Sequence, residues 1–127
     1  MLSHVMIGSN DIERSQRFYD AVLGVLGAPP ATRNKNGTGQ TRLFYRHDGS
    51  TFCVSEPIDG KPASVANGAT IGFKCNSPEQ LRQFHDVAVA NGGVSIEDPP
   101  GPRDGKPGAI PLAYVRDSDG NRLCALH

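Results

Sequence analysis

RDSDGNRLCALH closes the chain at Arg116 to His127, and RHDGSTFCVSE, at Arg46 to Glu56, follows the same plan. Each is a charged turn containing Asp-Gly, followed by a short apolar strand with a cysteine at its middle. Asp48-Gly49 meets Asp119-Gly120 and Cys53 meets Cys124, both 71 residues apart (124 minus 53), while Arg46 falls one step from Arg116. A small protein that writes one hairpin twice is a duplicated unit, and the rest of the chain is read against that idea.

The helical stretches repeat as well. SNDIERSQRFYDAV (Ser9 to Val22) aligns with CNSPEQLRQFHDVA (Cys75 to Ala88), so that Asn10 meets Asn76, Glu13 meets Glu79, Phe18 meets Phe84 and Asp20 meets Asp86. These pairs lie 66 residues apart (84 minus 18), which leaves five extra residues in the second half (71 minus 66). The loop Asp98 to Ile110, rich in Pro and Gly, is where they are expected. The modules run from about 1–58 and 67–127, with the linker 59–66 between them, inside one domain.

Within each module a short strand comes first, LSHVMIG or GATIGFKC. A helix follows. Asn10 with Glu13 forms an expected capping box for the first helix. Ser77 with Gln80 does so for the second, with Pro78 at the first helical position. Ile12, Phe18, Tyr19, Val22 and Leu26 make one apolar stripe, and Leu81, Phe84 and Ala88 the other. Glycines close both helices, at Gly24 or Gly27 and at Gly92-Gly93. Three strands complete each unit. The fold class is α+β, a βαβββ order used twice.

Strand alternation assigns the faces. Val5, Ile7, Ile71, Phe73, Phe52, Val54, Leu123 and Ala125 point toward the helices. His4, Met6, Thr70, Gly72, Cys53, Ser55, Cys124 and Leu126 form a mixed second face that would line a cavity. A three-residue loop, Ser118 to Gly120 with Gly120 at positive φ, sets Tyr114 beside Cys124 and Val115 beside Leu123. Transferred to the first module, this register pairs Phe44 with Phe52. Cys75 falls on the core side.

Thirteen basic and thirteen acidic residues balance, with no polybasic run, so bulk charge argues against a nucleic-acid partner. No stretch is long and apolar enough for a membrane span, and the N-terminus lacks the pattern of a signal peptide, so we expect a cytoplasmic protein. Three widely spaced cysteines make neither a disulfide framework nor a C-x-x-C metal knuckle.

The doubled βαβββ order, the helix end RFYDAVLG and the closing RDSDGNRL resemble the vicinal oxygen chelate superfamily. That group includes glyoxalase I, extradiol dioxygenases and the bleomycin- and fosfomycin-resistance proteins. The closing motif there is usually Asp-Pro-Asp-Gly, from which Ser118 departs. The resemblance implies paired modules that curl into a half-open barrel around a ligand cavity, and a frequent homodimer. It also implies metal ligands at four equivalent positions, which here are His4, Cys53, Thr70 and Cys124. The family pattern is His, Glu, His or Gln, and Glu, so only His4 matches. Divalent-metal chemistry of this kind uses the cation as a Lewis acid, with a carboxylate moving the proton, and the chain lacks both carboxylates at those positions.

Two functions follow as expectations. The first is a small-molecule binder of the bleomycin-resistance type with its metal site degraded and no cofactor, the ligand meeting Met6, Thr70, Tyr114 and Arg103. The alternative is a glyoxalase-type lyase or a dioxygenase. It would use His4 as catalytic residue and His4, Cys53 and Cys124 as a zinc site, since one His and two Cys suit zinc better than Mg, Mn or Ni. Cys53 and Cys124 also have the plainer role of small buried hydrophobes, which we favour. Arg116 and Asp117 are expected to serve the turn, His85 to pack or face solvent, His47 to be solvated and His127 to fray. Arg42 and Arg46 are expected at the surface, with an anionic ligand as the other possibility. Asp98 to Ile110 is a candidate lid.

Overall fold

The computed structural model describes residues 1–103 and 108–127. Each half begins with a strand that leads into a helix: β1 (Val5–Gly8) into α1 (Ile12–Val25), and β5 (Ile71–Lys74) into α2 (Pro78–Ala90). Three strands follow each helix: β2 (Thr32–Lys35), β3 (Thr41–His47) and β4 (Ser50–Ser55), then β6 (Val94–Pro102), β7 (Pro111–Arg116) and β8 (Arg122–Leu126). The sheet orders are β1-β4-β3-β2 and β5-β8-β7-β6, with β1 parallel to β4 and β5 parallel to β8. These are two unclosed βαβββ sheets of the same topology, the doubled order read from the repeat in the half-open arrangement that the resemblance implies.

The helices pack on each other, and each sheet turns one face toward them. Phe18, Tyr19, Val22 and Leu23 from α1 join Leu81, Phe84 and Ala88 from α2 in one core with Leu43, Val54, Val115, Leu123 and Ala125. Full burial of an aromatic or leucine side chain is worth roughly 1.5–3 kcal/mol, so these positions dominate the stability of the interior. Aromatic rings bridge the halves. Tyr19 sits 5.0 Å from Phe52, Phe52 sits 5.4 Å from Phe73, and Phe73 sits 5.5 Å from Phe84. Cys75 is buried in this core, as alternation requires.

The C-terminal hairpin has the expected register, with Tyr114 opposite Cys124 and Val115 opposite Leu123. Its loop is Ser118 to Gly120, and Gly120 has φ 94°. The first hairpin differs. Phe44 pairs with Cys53 rather than Phe52, and Tyr45 takes the place opposite Phe52. The reason is a shorter loop. His47 pairs with Ser50, leaving only Asp48 (φ 50°) and Gly49 (φ 80°), both left-handed. This is the two-residue turn for which Asp-Gly is a strong signal. One residue less in the turn moves every β3 side chain to the other face.

Two further expectations change. Asp11, not Asn10, caps α1, its side chain accepting from the Arg14 amide at 3.0 Å. Part of the insertion expected in the loop Asp98 to Ile110 is instead strand. β6 continues to Pro102 through a bulge between Ile96 and Gly101, with Glu97 at φ 61°. The centre of the candidate lid, 104–107, lies outside the described residues.

Candidate functional site

Because side chains alternate along a strand, the face of each sheet away from the helices is fixed by the register. On the first sheet it carries Met6, Cys53, Ser55, Arg42, Phe44 and Arg46, with His4 leading into β1. On the second it carries Gly72, Cys124, Leu126, Tyr114 and Arg122, with Thr70 leading into β5. The two cysteines therefore occupy one structural position used twice, each opposite an aromatic residue of the neighbouring strand.

The aromatic rings are bracketed by guanidinium groups in both halves. Arg42 and Arg46 lie 5.5 and 5.1 Å from the Phe44 centroid. Arg103 and Arg122 lie 5.3 and 4.1 Å from the Tyr114 centroid. Such contacts favour the cation electrostatically through the ring quadrupole. The halves differ in what else holds the arginines. Arg122 forms an ion pair with Glu97 at 2.6 Å and also donates to the Thr70 hydroxyl. Arg103 Nη1 donates to the carbonyls of Asp98 and Pro99 at 3.2 and 2.8 Å. Arg42 donates from Nε to Asn34 Oδ1 at 2.9 Å.

Cys53 is 0 % exposed and Cys124 6 % exposed. Burial pushes both thiols above their ordinary range, in spite of the nearby arginines. A thiol held protonated is a poor nucleophile. The Cys124 thiol donates to the Ala125 carbonyl at 3.6 Å. His4 is exposed, with Nδ1 2.8 Å from Ser3 Oγ. Among the described residues no three His, Cys, Asp or Glu side chains gather into a group able to hold a metal ion, so His4, Cys53 and Cys124 are not brought together. Guanidinium groups on both faces beside the thiols, and a hydroxyl already bonded to an arginine, are a poor fit for a divalent cation.

A pocket of about 480 Å³ opens on the first sheet, with Met6, Gly8, Arg42 and Ser55 on its wall and linker residues from Pro57 to Ser64 across it. The linker is fastened there by Asn10, which donates from Nδ2 to the Ala63 carbonyl at 3.2 Å and accepts from the Ala63 amide at 2.7 Å. Gly8 leaves room for this, since a Cβ there would come within 2.8 Å of the Ala63 Cβ. Met6 is 43 % exposed at the wall. Of the residues expected to meet a ligand, Met6 stands at this pocket, while Thr70, Arg103 and Tyr114 meet around Arg122 on the second sheet. Phe44 was missed in the sequence because the hairpin register put it on the core side.

The remaining polar residues hold structure. Asp117 is buried and accepts from Tyr19 Oη at 2.5 Å, from the Asp119 and Asn121 amides at 3.0 and 2.8 Å, and from Asn121 Nδ2 at 2.9 Å. Asp119 accepts from the Asn10 amide, Arg14 and Ser15. Arg116 donates to the Gly120 carbonyl at 2.8 Å. The turn is thus riveted to α1, and Arg116 and Asp117 serve it. His85 lies against Asp86 and Ser95, and His47 is exposed. His127 does not fray, since its Nδ1 donates to the Cys75 carbonyl at 3.1 Å.

Comparison with known proteins agrees with this architecture. A glyoxalase/bleomycin resistance protein from Albidiferax ferrireducens T118 is 50% identical, with a TM-score of 0.88 over 100% of this chain and 98% of that one. The virulence protein STM3117 of Salmonella typhimurium is 28% identical over 96% of this chain and 80% of its own length. A point mutant of glyoxalase I from Zea mays shares the fold, with a TM-score of 0.77 at 18% identity over 98% of this chain and 45% of that one. The family model of the Glyoxalase/Bleomycin resistance protein/Dioxygenase superfamily matches residues 1–125, and the chain belongs to that superfamily.

Proposed function

We propose that this protein binds a small organic molecule on the open faces of its sheets without using a metal ion. The observation that carries this reading is the pair of buried cysteines at the strand positions where the superfamily resemblance calls for carboxylate ligands. The pocket at Met6 supports it, with a volume suited to a small ligand. We further propose a homodimer, which would cover the exposed Leu126 on the open face of the second sheet. Sedimentation equilibrium should then report twice the 13.5 kDa chain mass.

The chain contains no tryptophan, so Met6→Trp would place a single indole at the pocket wall. A screen of small organic molecules by ligand-observed NMR should give binders to the wild-type chain. Met6→Trp should weaken them by filling the space they use, while the fold survives because Met6 is exposed. No binders at all, or binders indifferent to Met6→Trp, would count against a ligand at this face.

A further inference from the structure

The two open faces are not equally charged, and the difference names a ligand class. On the second sheet the guanidinium nearest the aromatic ring, Arg122, is already neutralised by Glu97. On the first sheet the strands present Arg42 and Arg46 on the open face and no carboxylate. The ion pairs among the described residues are Arg14–Asp119, Arg33–Glu13, His85–Asp86 and Arg122–Glu97, so neither Arg42 nor Arg46 is in one. The pocket also carries two carboxylates at its linker end, Glu56 and Asp59, each keeping its charge while accepting from a backbone amide. Glu56 accepts from the Thr41 amide at 2.7 Å and Asp59 from the Lys61 amide at 3.0 Å. Beneath the two guanidiniums lie Phe44 and, beside it on β4, the neutral thiol of Cys53.

Resting on the ligand-binding reading above, we infer that the first sheet recognises an organic anion with an apolar body, its charged group held by Arg42 and Arg46 and its body against Met6. Guanidinium groups match a carboxylate or phosphate in a planar, two-bond geometry. Stacking on Phe44 fixes both arginines before a ligand arrives, which lowers the ordering cost of binding. Met6 supplies apolar surface that a free inorganic anion would not use.

The test is a matched pair of probes, 2-naphthoate and its neutral analogue 2-naphthamide, titrated into the full chain and followed by backbone amide shifts. The expected result is binding of the naphthoate about tenfold or more tighter than the amide, weakening with added salt. Arg42→Gln with Arg46→Gln should bring naphthoate down to the level of the amide and leave the amide unchanged. Arg46→Gln alone, at an exposed position, should give a partial loss and serves if the double variant folds poorly. Equal binding of the two probes to wild type, or a preference that survives the double substitution, would overturn the anion inference while leaving a ligand-binding protein. Failure of both probes to bind at millimolar concentration would count against the site itself.

Discussion

At the scale of single residues, the thiols and Tyr19 are the groups whose chemistry the fold changes most. All three cysteines are free and buried, and burial raises each thiol. Native protein at pH 8 should therefore react with a thiol-specific disulfide reagent at least about tenfold more slowly than unfolded protein, and all three thiols should titrate once it is unfolded. Fast labelling of Cys53 or Cys124 in the native state would contradict their protonated, covered state. Burial, followed by the Asp117 carboxylate, holds the Tyr19 hydroxyl well above its usual range, and burial with Asp20 does the same for Tyr45. The stability linked to these groups is fully present below pH ~10, where an unfolded tyrosine ionises, and falls as pH rises beyond it. Urea unfolding midpoints should decline above that pH. Tyr19→Phe should flatten the decline and cost roughly 1–3 kcal/mol at neutral pH, as expected for a bond to a charged acceptor.

At the scale of elements, the two hairpins show what the sequence made legible and what it hid. The duplicated order, both helices, the C-terminal register and the division of β1, β4, β5 and β8 into core and open faces follow from the apolar periodicity and the Asp-Gly turns. The position of Phe44 was missed although its signal was present. Arg46 and Arg116 stand one step out of line, which is the one residue by which the turns differ. The bulge in β6 carries no such mark, because Pro and Gly in Asp98 to Pro102 speak for a loop while pairing to β7 holds the segment as strand. Asn10 looked like a cap from its capping-box spacing, but the linker and the Asp119 carboxylate engage it instead. Contacts so distant in sequence leave no local trace. Gly49 at φ 80° should resist substitution, and Gly49→Ala should cost about 1–2 kcal/mol in thermal unfolding for its left-handed backbone. Gly24→Ala, in α1 with open space around its Cβ position, should be neutral or stabilising by up to about 1 kcal/mol. Equal effects at the two glycines would contradict the turn geometry.

At the scale of the whole molecule, duplication gives two open faces built alike and charged differently. The repeat fixes where a cavity-lining residue sits, and individual substitutions at those positions decide the chemistry. A neutral thiol where the resemblance calls for a carboxylate removes both a metal ligand and the counter-charge to Arg42 and Arg46. Under the proposed function, this one change is what disfavours a cation and favours an organic anion. The direct test is metal content and metal uptake by calorimetry, on protein purified without chelator or added metal, and then titrated with Zn, Ni, Mn and anaerobic Fe(II). The expected result is no stoichiometric metal and no saturable heat with any of the four. One equivalent of tightly held zinc that disappears in Cys53→Ala with Cys124→Ala would contradict it, and would restore His4, Cys53 and Cys124 as a metal centre.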